Sequence, residues 1–132
     1  MDNQLYRDII LEHWKHPQNY GTIYNADVTI YDYNPLCGDS IQINLKINKG
    51  NIDDIKFSGE GCAISRASAS ILTEYTKKKS VQKILNMSQK DFLKLLGIQL
   101  TPARLKCALL SYSVLQRGLQ TINPKHKILN HK

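Results

Sequence analysis

The sequence predicts an α+β fold, a small antiparallel three-stranded sheet with helices packed on one face. Two observations carry this. Between residues 28 and 58, short runs alternate apolar and polar side chains and are separated by turn residues. After Gly61 the period lengthens to a helical one and stays so. Strands first and helices afterwards argue for helices laid on one side of a single sheet.

The elements follow in order. Residues 4–15 place Leu5, Ile9 and Ile10, with Trp14 following, close to helical spacing, and Pro17 and Gly21 end the segment. Val28 and Ile30 alternate with Thr29 and Tyr31. Ile41, Ile43, Leu45 and Ile47 alternate with Gln42, Asn44 and Lys46. Asn48-Lys49-Gly50-Asn51 is a turn, after which Ile55 and Phe57 alternate with Lys56 and Ser58. Three strands with tight connections make an antiparallel meander with one buried face. Residues 63–76 are rich in Ala and Ser before Ile71, Leu72 and Tyr75, a helix narrow enough to pack closely. Ser80 caps a short helix with Val81, Ile84 and Leu85. Ser88 and Asp91 resemble a capping box, with Asp in place of Glu, for a helix that Gly97 ends. Thr101-Pro102 opens the last helix, with proline at its first position and Leu105, Leu109, Tyr112 and Leu119 on its apolar face.

The chain has 132 residues, a net charge of +7 and 42% hydrophobic residues. That suits one domain over residues 1–132, with 121–132 a flexible basic tail. No apolar run approaches the roughly 20 residues that span a bilayer. The start, with Asp2 and Asp8 beside Arg7, has neither the cationic opening of a signal peptide nor the composition of a transit peptide, so the expected location is cytoplasmic. Much of the basic excess sits in Lys77-Lys78-Lys79 and in Lys125, Lys127 and Lys132. Nothing resembles a recognition helix or a basic–aromatic stripe, which argues against nucleic acid as a partner. A basic surface can instead steer an acidic protein.

Three cysteines cannot all pair, and in a reducing compartment separated thiols are buried, catalytic or metal-bound. Cys37 and Asp39 flank Gly38 in Asn34-Pro35-Leu36-Cys37-Gly38-Asp39, read as a loop between strands. Pro35 stiffens it and Gly38 permits a sharp turn, so both side chains can aim at one point. The alternative is a hairpin connection with an incidental cysteine. Cys62, in Gly59-Glu60-Gly61-Cys62-Ala63-Ile64-Ser65, falls at a helix N-terminus, where a thiolate is favoured. It could equally be a small buried cysteine at a tight junction. Cys107 falls in the second turn of the last helix, with Arg104 and Lys106 nearby to favour a thiolate, or it is a helix-packing residue beside Ala108. No CxxC pair is present, which disfavours a zinc ribbon or finger. Three thiolates with Asp39 would make a four-coordinate site, and sulfur donors select zinc, Cu(I) or iron–sulfur units. One hard oxygen donor suits a site that is loaded and emptied.

These segments resemble a known family. Asn34 to Asp39, Gly59 to Ser70 and Pro102-Ala103-Arg104-Leu105-Lys106-Cys107-Ala108 look like the three signature blocks of the SufU/IscU/NifU-N-terminal iron–sulfur cluster assembly scaffolds, in the same order. The opening from Tyr6 to Gly21, with His13, Pro17 and Asn19, is similar to that family's first helix, so the likeness covers roughly residues 4–120. It implies that Cys37, Asp39, Cys62 and Cys107 bind Zn2+ or a transient [2Fe–2S] cluster. It also implies a cysteine desulfurase of the SufS/IscS/NifS type as sulfur donor and apo iron–sulfur proteins as clients. Lys106 stands where the IscU branch has His, as in the SufU branch, although the interval from Cys62 to Cys107 has the shorter IscU spacing. Leu100-Thr101-Pro102-Ala103-Arg104 replaces the IscU Leu-Pro-Pro-Val-Lys site, which argues against an Hsp70-type chaperone partner. The SufU branch takes sulfur on the cysteine matching Cys37 and the IscU branch on the one matching Cys107. The Lys106 signature and a mobile loop favour Cys37 as acceptor, with Cys107 the alternative.

Two other functions remain open on the residues. A structural zinc module would unfold on metal loss and accept no sulfur. A free-standing thiol enzyme would want a general base beside its cysteine. His13, His16, His126 and His131 all lie in the terminal segments, which disfavours that reading.

Overall fold

The structure, a computed structural model, describes residues 3–35, 38–97 and 99–122. Its elements run α1 (Asn3–Lys15), β1 (Val28–Asn34), β2 (Asp39–Asn48), β3 (Asn51–Ser58), α2 (Ala63–Thr76), α3 (Val81–Leu85), α4 (Gln89–Leu96) and α5 (Pro102–Ile122). The strands form an antiparallel sheet in the order β1-β2-β3, the expected meander. The β2–β3 connection is a two-residue hairpin with positive φ at Lys49 and Gly50, the combination that matches the twist of the flanking strands.

One face of the sheet is apolar across all three strands. The pairings Val28↔Leu45↔Ile55 and Ile30↔Ile43↔Phe57 line up side chains that alternate with polar neighbours. On that face α5 packs against β1 and β2 while α2 packs against β3, and the two helices also contact each other. The approach of α5 is close at Gly118, where a methyl group would stand 3.1 Å from Ile30 Cγ2. The Ala/Ser-rich stretch of α2 is buried along most of its length, as its narrow side chains allow. The core joins Ile43, Leu45, Ile55, Leu72, Phe92 and Leu115 with their neighbours.

Four details differ from expectation. Of the apolar residues in α1, Ile10 is buried whereas Leu5, Ile9 and Trp14 are exposed, because α1 packs mainly on one side, against α2. Asn44 is buried although it alternates with core residues. The connection from α1 to β1 supplies Ile23, whose N–H reaches Asn44 Oδ1 at 3.4 Å, and Asn44 donates to Thr29 Oγ1 at 2.8 Å. Asp39 opens β2 instead of lying in a loop, since it pairs with Asn34 as the last rung of the β1–β2 ladder. Thr121 and Ile122, assigned to the basic tail, continue α5; residues 123–132 lie outside the described residues. Among the described residues, no helix is long and apolar enough to cross a membrane.

Candidate metal centre

Three segments that are far apart in sequence meet where β2 begins. Asp39 enters through the strand, Cys62 through the junction before α2, and Cys107 through the second turn of α5. One ligand atom from each of the three lies within 4.8 Å of the others. Asp39 and Cys107 are buried, and Cys62 is half-buried. Cys37, expected as the fourth donor and as the sulfur acceptor, lies outside the described residues. Its neighbour Gly38 has φ 72°, the left-handed conformation expected of a sharp turn, and its N–H closes on Asn34 O at 2.8 Å.

Local hydrogen bonding explains how the side chains are held. Cys62 is the N-cap of α2, with extended backbone, and its sulfur accepts from the Ser65 N–H at 3.4 Å. The cap leaves the Cys62 N–H free of the helix ladder, and that group donates to Asp39 Oδ1 at 3.0 Å. The second carboxylate oxygen, Oδ2, lies 3.9 Å from Cys62 Sγ. Ser40 and Glu60 tie the ends of the two segments together, through Ser40 N–H to Glu60 O at 2.7 Å and Glu60 N–H to Ser40 Oγ at 3.2 Å. Cys107 points its thiol at Ala103 O, 3.7 Å away within its own helix. Arg104 and Lys106, expected beside this thiol, are exposed while Cys107 is 4% exposed. The Cys62–Asp39 and Ser65–Cys62 hydrogen bonds add to what the sequence predicts. The second was available from the position of Ser65 three residues after a capping residue.

His13 bonds Ser70 Oγ through Nδ1 at 2.7 Å and faces Glu74 through Nε2 at 3.6 Å, so it fastens α1 to α2. Arg66 donates to Trp14 O and lies over the Tyr20 ring, 4.8 Å from its centroid. Among the described residues, the thiol cluster therefore contains no histidine.

The donor set suits a thiophilic metal. In tetrahedral zinc, bonds of about 2.3 Å to sulfur and 2.0–2.2 Å to oxygen put neighbouring donor atoms roughly 3.5–3.8 Å apart. The 3.9 Å between Asp39 Oδ2 and Cys62 Sγ, and the 4.8 Å limit over all three residues, require small adjustments only.

A sheet under two long helices, with one carboxylate and two thiols converging at the start of β2 among the described residues, defines a small α+β protein with a candidate thiolate–carboxylate metal centre. The chain belongs to the NifU-like N terminal domain family, whose model matches residues 5–128. It is 37% identical over 132 aligned positions to the zinc-dependent sulfurtransferase SufU of Bacillus subtilis, covering 87% of this chain and 89% of that protein. It is 33% identical over 115 positions to the iron–sulfur cluster assembly scaffold protein IscU 1 of Archaeoglobus fulgidus, covering 87% of this chain and 74% of the relative. The crystal structure of a proposed iron–sulfur cluster assembly scaffold for the SUF system from Fervidobacterium islandicum superposes with a TM-score of 0.77. It is 25% identical and covers 90% of this chain and 99% of that one.

Proposed function

We propose that this chain is a cytoplasmic iron–sulfur cluster assembly protein that accepts sulfur from a cysteine desulfurase for apo iron–sulfur proteins. In this reading Cys37, Asp39, Cys62 and Cys107 hold Zn2+ or a transient [2Fe–2S] cluster. The observation that carries it is the convergence of Asp39, Cys62 and Cys107 within 4.8 Å in a chain of this family. Zinc, when bound, would keep the thiols deprotonated and organised until the sulfur donor docks.

The residues divide the work by their anchoring. Asp39, Cys62 and Cys107 sit on a strand, a helix cap and a helix, and keep the centre in place. Cys37 stands two residues after Pro35 and directly before Gly38, between two strands. Its thiolate attacks the terminal sulfur of the desulfurase persulfide, the new S–S bond forms on Cys37, and the desulfurase cysteine leaves as thiolate. Cys107 is less suited, because at 4% exposure a partner's persulfide could reach it only after α5 or its cover moved.

The test is to mix the chain with a cysteine desulfurase and cysteine, quench by alkylation, and map the persulfide by mass spectrometry. The expected first product is persulfide on Cys37. Modification of Cys107 while Cys37 is still unmodified would refute this assignment. Metal analysis with a visible spectrum of protein purified without added metal separates the two occupants: zinc without visible bands favours transfer, and sulfide-to-iron bands favour a resident cluster.

A further inference from the structure

Gly61 stands against the carboxylate of Asp39. A methyl carbon there would lie 2.7 Å from Asp39 Oδ1, 3.0 Å from Cγ and 3.1 Å from Ser65 Oγ. Real side chains do not approach so closely, so any residue other than glycine must displace the carboxylate. The carboxylate has little freedom to yield: Asp39 is 1% exposed, opens β2, and receives the Cys62 N–H on Oδ1. The backbone of Gly61 is not in the left-handed region, so the requirement at this position is the missing side chain. Gly59 differs, since its φ of 141° and the nearby Ser40 carbonyl make it a matter of chain path.

We infer that Gly61 is a positioning residue for the centre: its bare Cα lets Asp39 turn Oδ1 to the Cys62 amide and leave Oδ2 to face the sulfur of Cys62. The inference rests on the ligand set proposed above. The amide bond fixes which oxygen faces the thiol and at what angle, and groups that orient a ligand in this way typically govern metal affinity by roughly 10–100-fold.

A double-mutant cycle in the full chain tests it, using Gly61→Ala, Asp39→Ala and the pair. The readouts are zinc affinity by chelator competition and the ligand-field spectrum of the Co2+ form. Gly61→Ala is expected to weaken zinc binding by roughly 10–100-fold and to shift the Co2+ bands. Added to Asp39→Ala, it should change affinity by no more than about twofold and leave the bands in place, because nothing remains to be displaced. Equal losses in both backgrounds, or no loss in either, would overturn the inference while the ligand set stands. Wild-type zinc affinity in Asp39→Ala would remove the ligand reading and the inference together. Were Gly61→Ala alone to unfold the chain, recovery of its thermal transition on adding Asp39→Ala supports the contact, and no recovery overturns it.

Discussion

Asp39 is the one oxygen donor in a cluster otherwise built of thiols among the described residues, and its two oxygens are in different situations. Oδ1 is engaged by the Cys62 amide, and Oδ2 faces the Cys62 sulfur. A single hard donor holds a soft cluster less firmly than a fourth thiolate would, and in the proposed role it offers a position from which a client's cysteine can displace the protein. Asp39→Ala should therefore lengthen the life of a [2Fe–2S] cluster on the chain, measured as the half-time of transfer to an apo-ferredoxin. An unchanged or shorter half-time would count against this role. Zinc affinity should move the other way in the same variant, since an equilibrium measurement registers the lost ligand and not the closed exchange route.

Capping decides where the helices begin, and α4 shows it most fully. The Ser88 hydroxyl accepts from the Asp91 N–H at 3.1 Å, and the Ser88 N–H donates to Asp91 Oδ2 at 3.1 Å. The Ser88 backbone bond chiefly, with its hydroxyl, holds the Asp91 carboxyl below the usual carboxylate range. A carboxyl depressed on folding contributes stability above its unfolded pKa, near about 4, and loses it as pH falls through the lower folded value. Ser88→Ala should cost about 1 kcal/mol in urea unfolding at neutral pH. The stability gap between the wild type and Asp91→Asn should be present at pH 7 and shrink towards pH 2–3. A gap that is unchanged in acid would exclude the carboxylate as its source. This cap was legible in the sequence because it is local: Ser88, Asp91 and Gly97 lie within one short stretch. So were the ends of α2, and the start of α5 at Pro102. The burial of Asn44, the exposure of Leu5 and Trp14, and the place of Asp39 in β2 were not, because each depends on what another segment lays over or beside it.

At the scale of the whole molecule, the convergence of Asp39, Cys62 and Cys107 was legible only through the three sequence blocks, since no local pattern reports that a strand start, a helix cap and a helix turn will meet. The basic run shows the same dependence on tertiary structure: Lys77 lies 3.3 Å from Asp54 and Lys78 3.2 Å from Asp53, so β3 partly neutralises it. What the centre does for the fold follows from where it sits. The apolar core between the sheet and α2, α4 and α5 is continuous without the donor groups: Asp39 and Cys62 are not part of it, and Cys107 adds one small buried side chain. A chain with its own core does not need a metal to bring its elements together, unlike small metal domains that are unfolded without one. Chelation should therefore leave the far-UV circular dichroism in place and the thermal transition cooperative. Added zinc should raise the midpoint by an amount that grows with free metal concentration, as for any ligand that binds the folded state alone. A structural zinc module would instead lose its circular dichroism signal in step with its metal. That result would overturn the proposal of a site that is loaded and emptied on a standing fold.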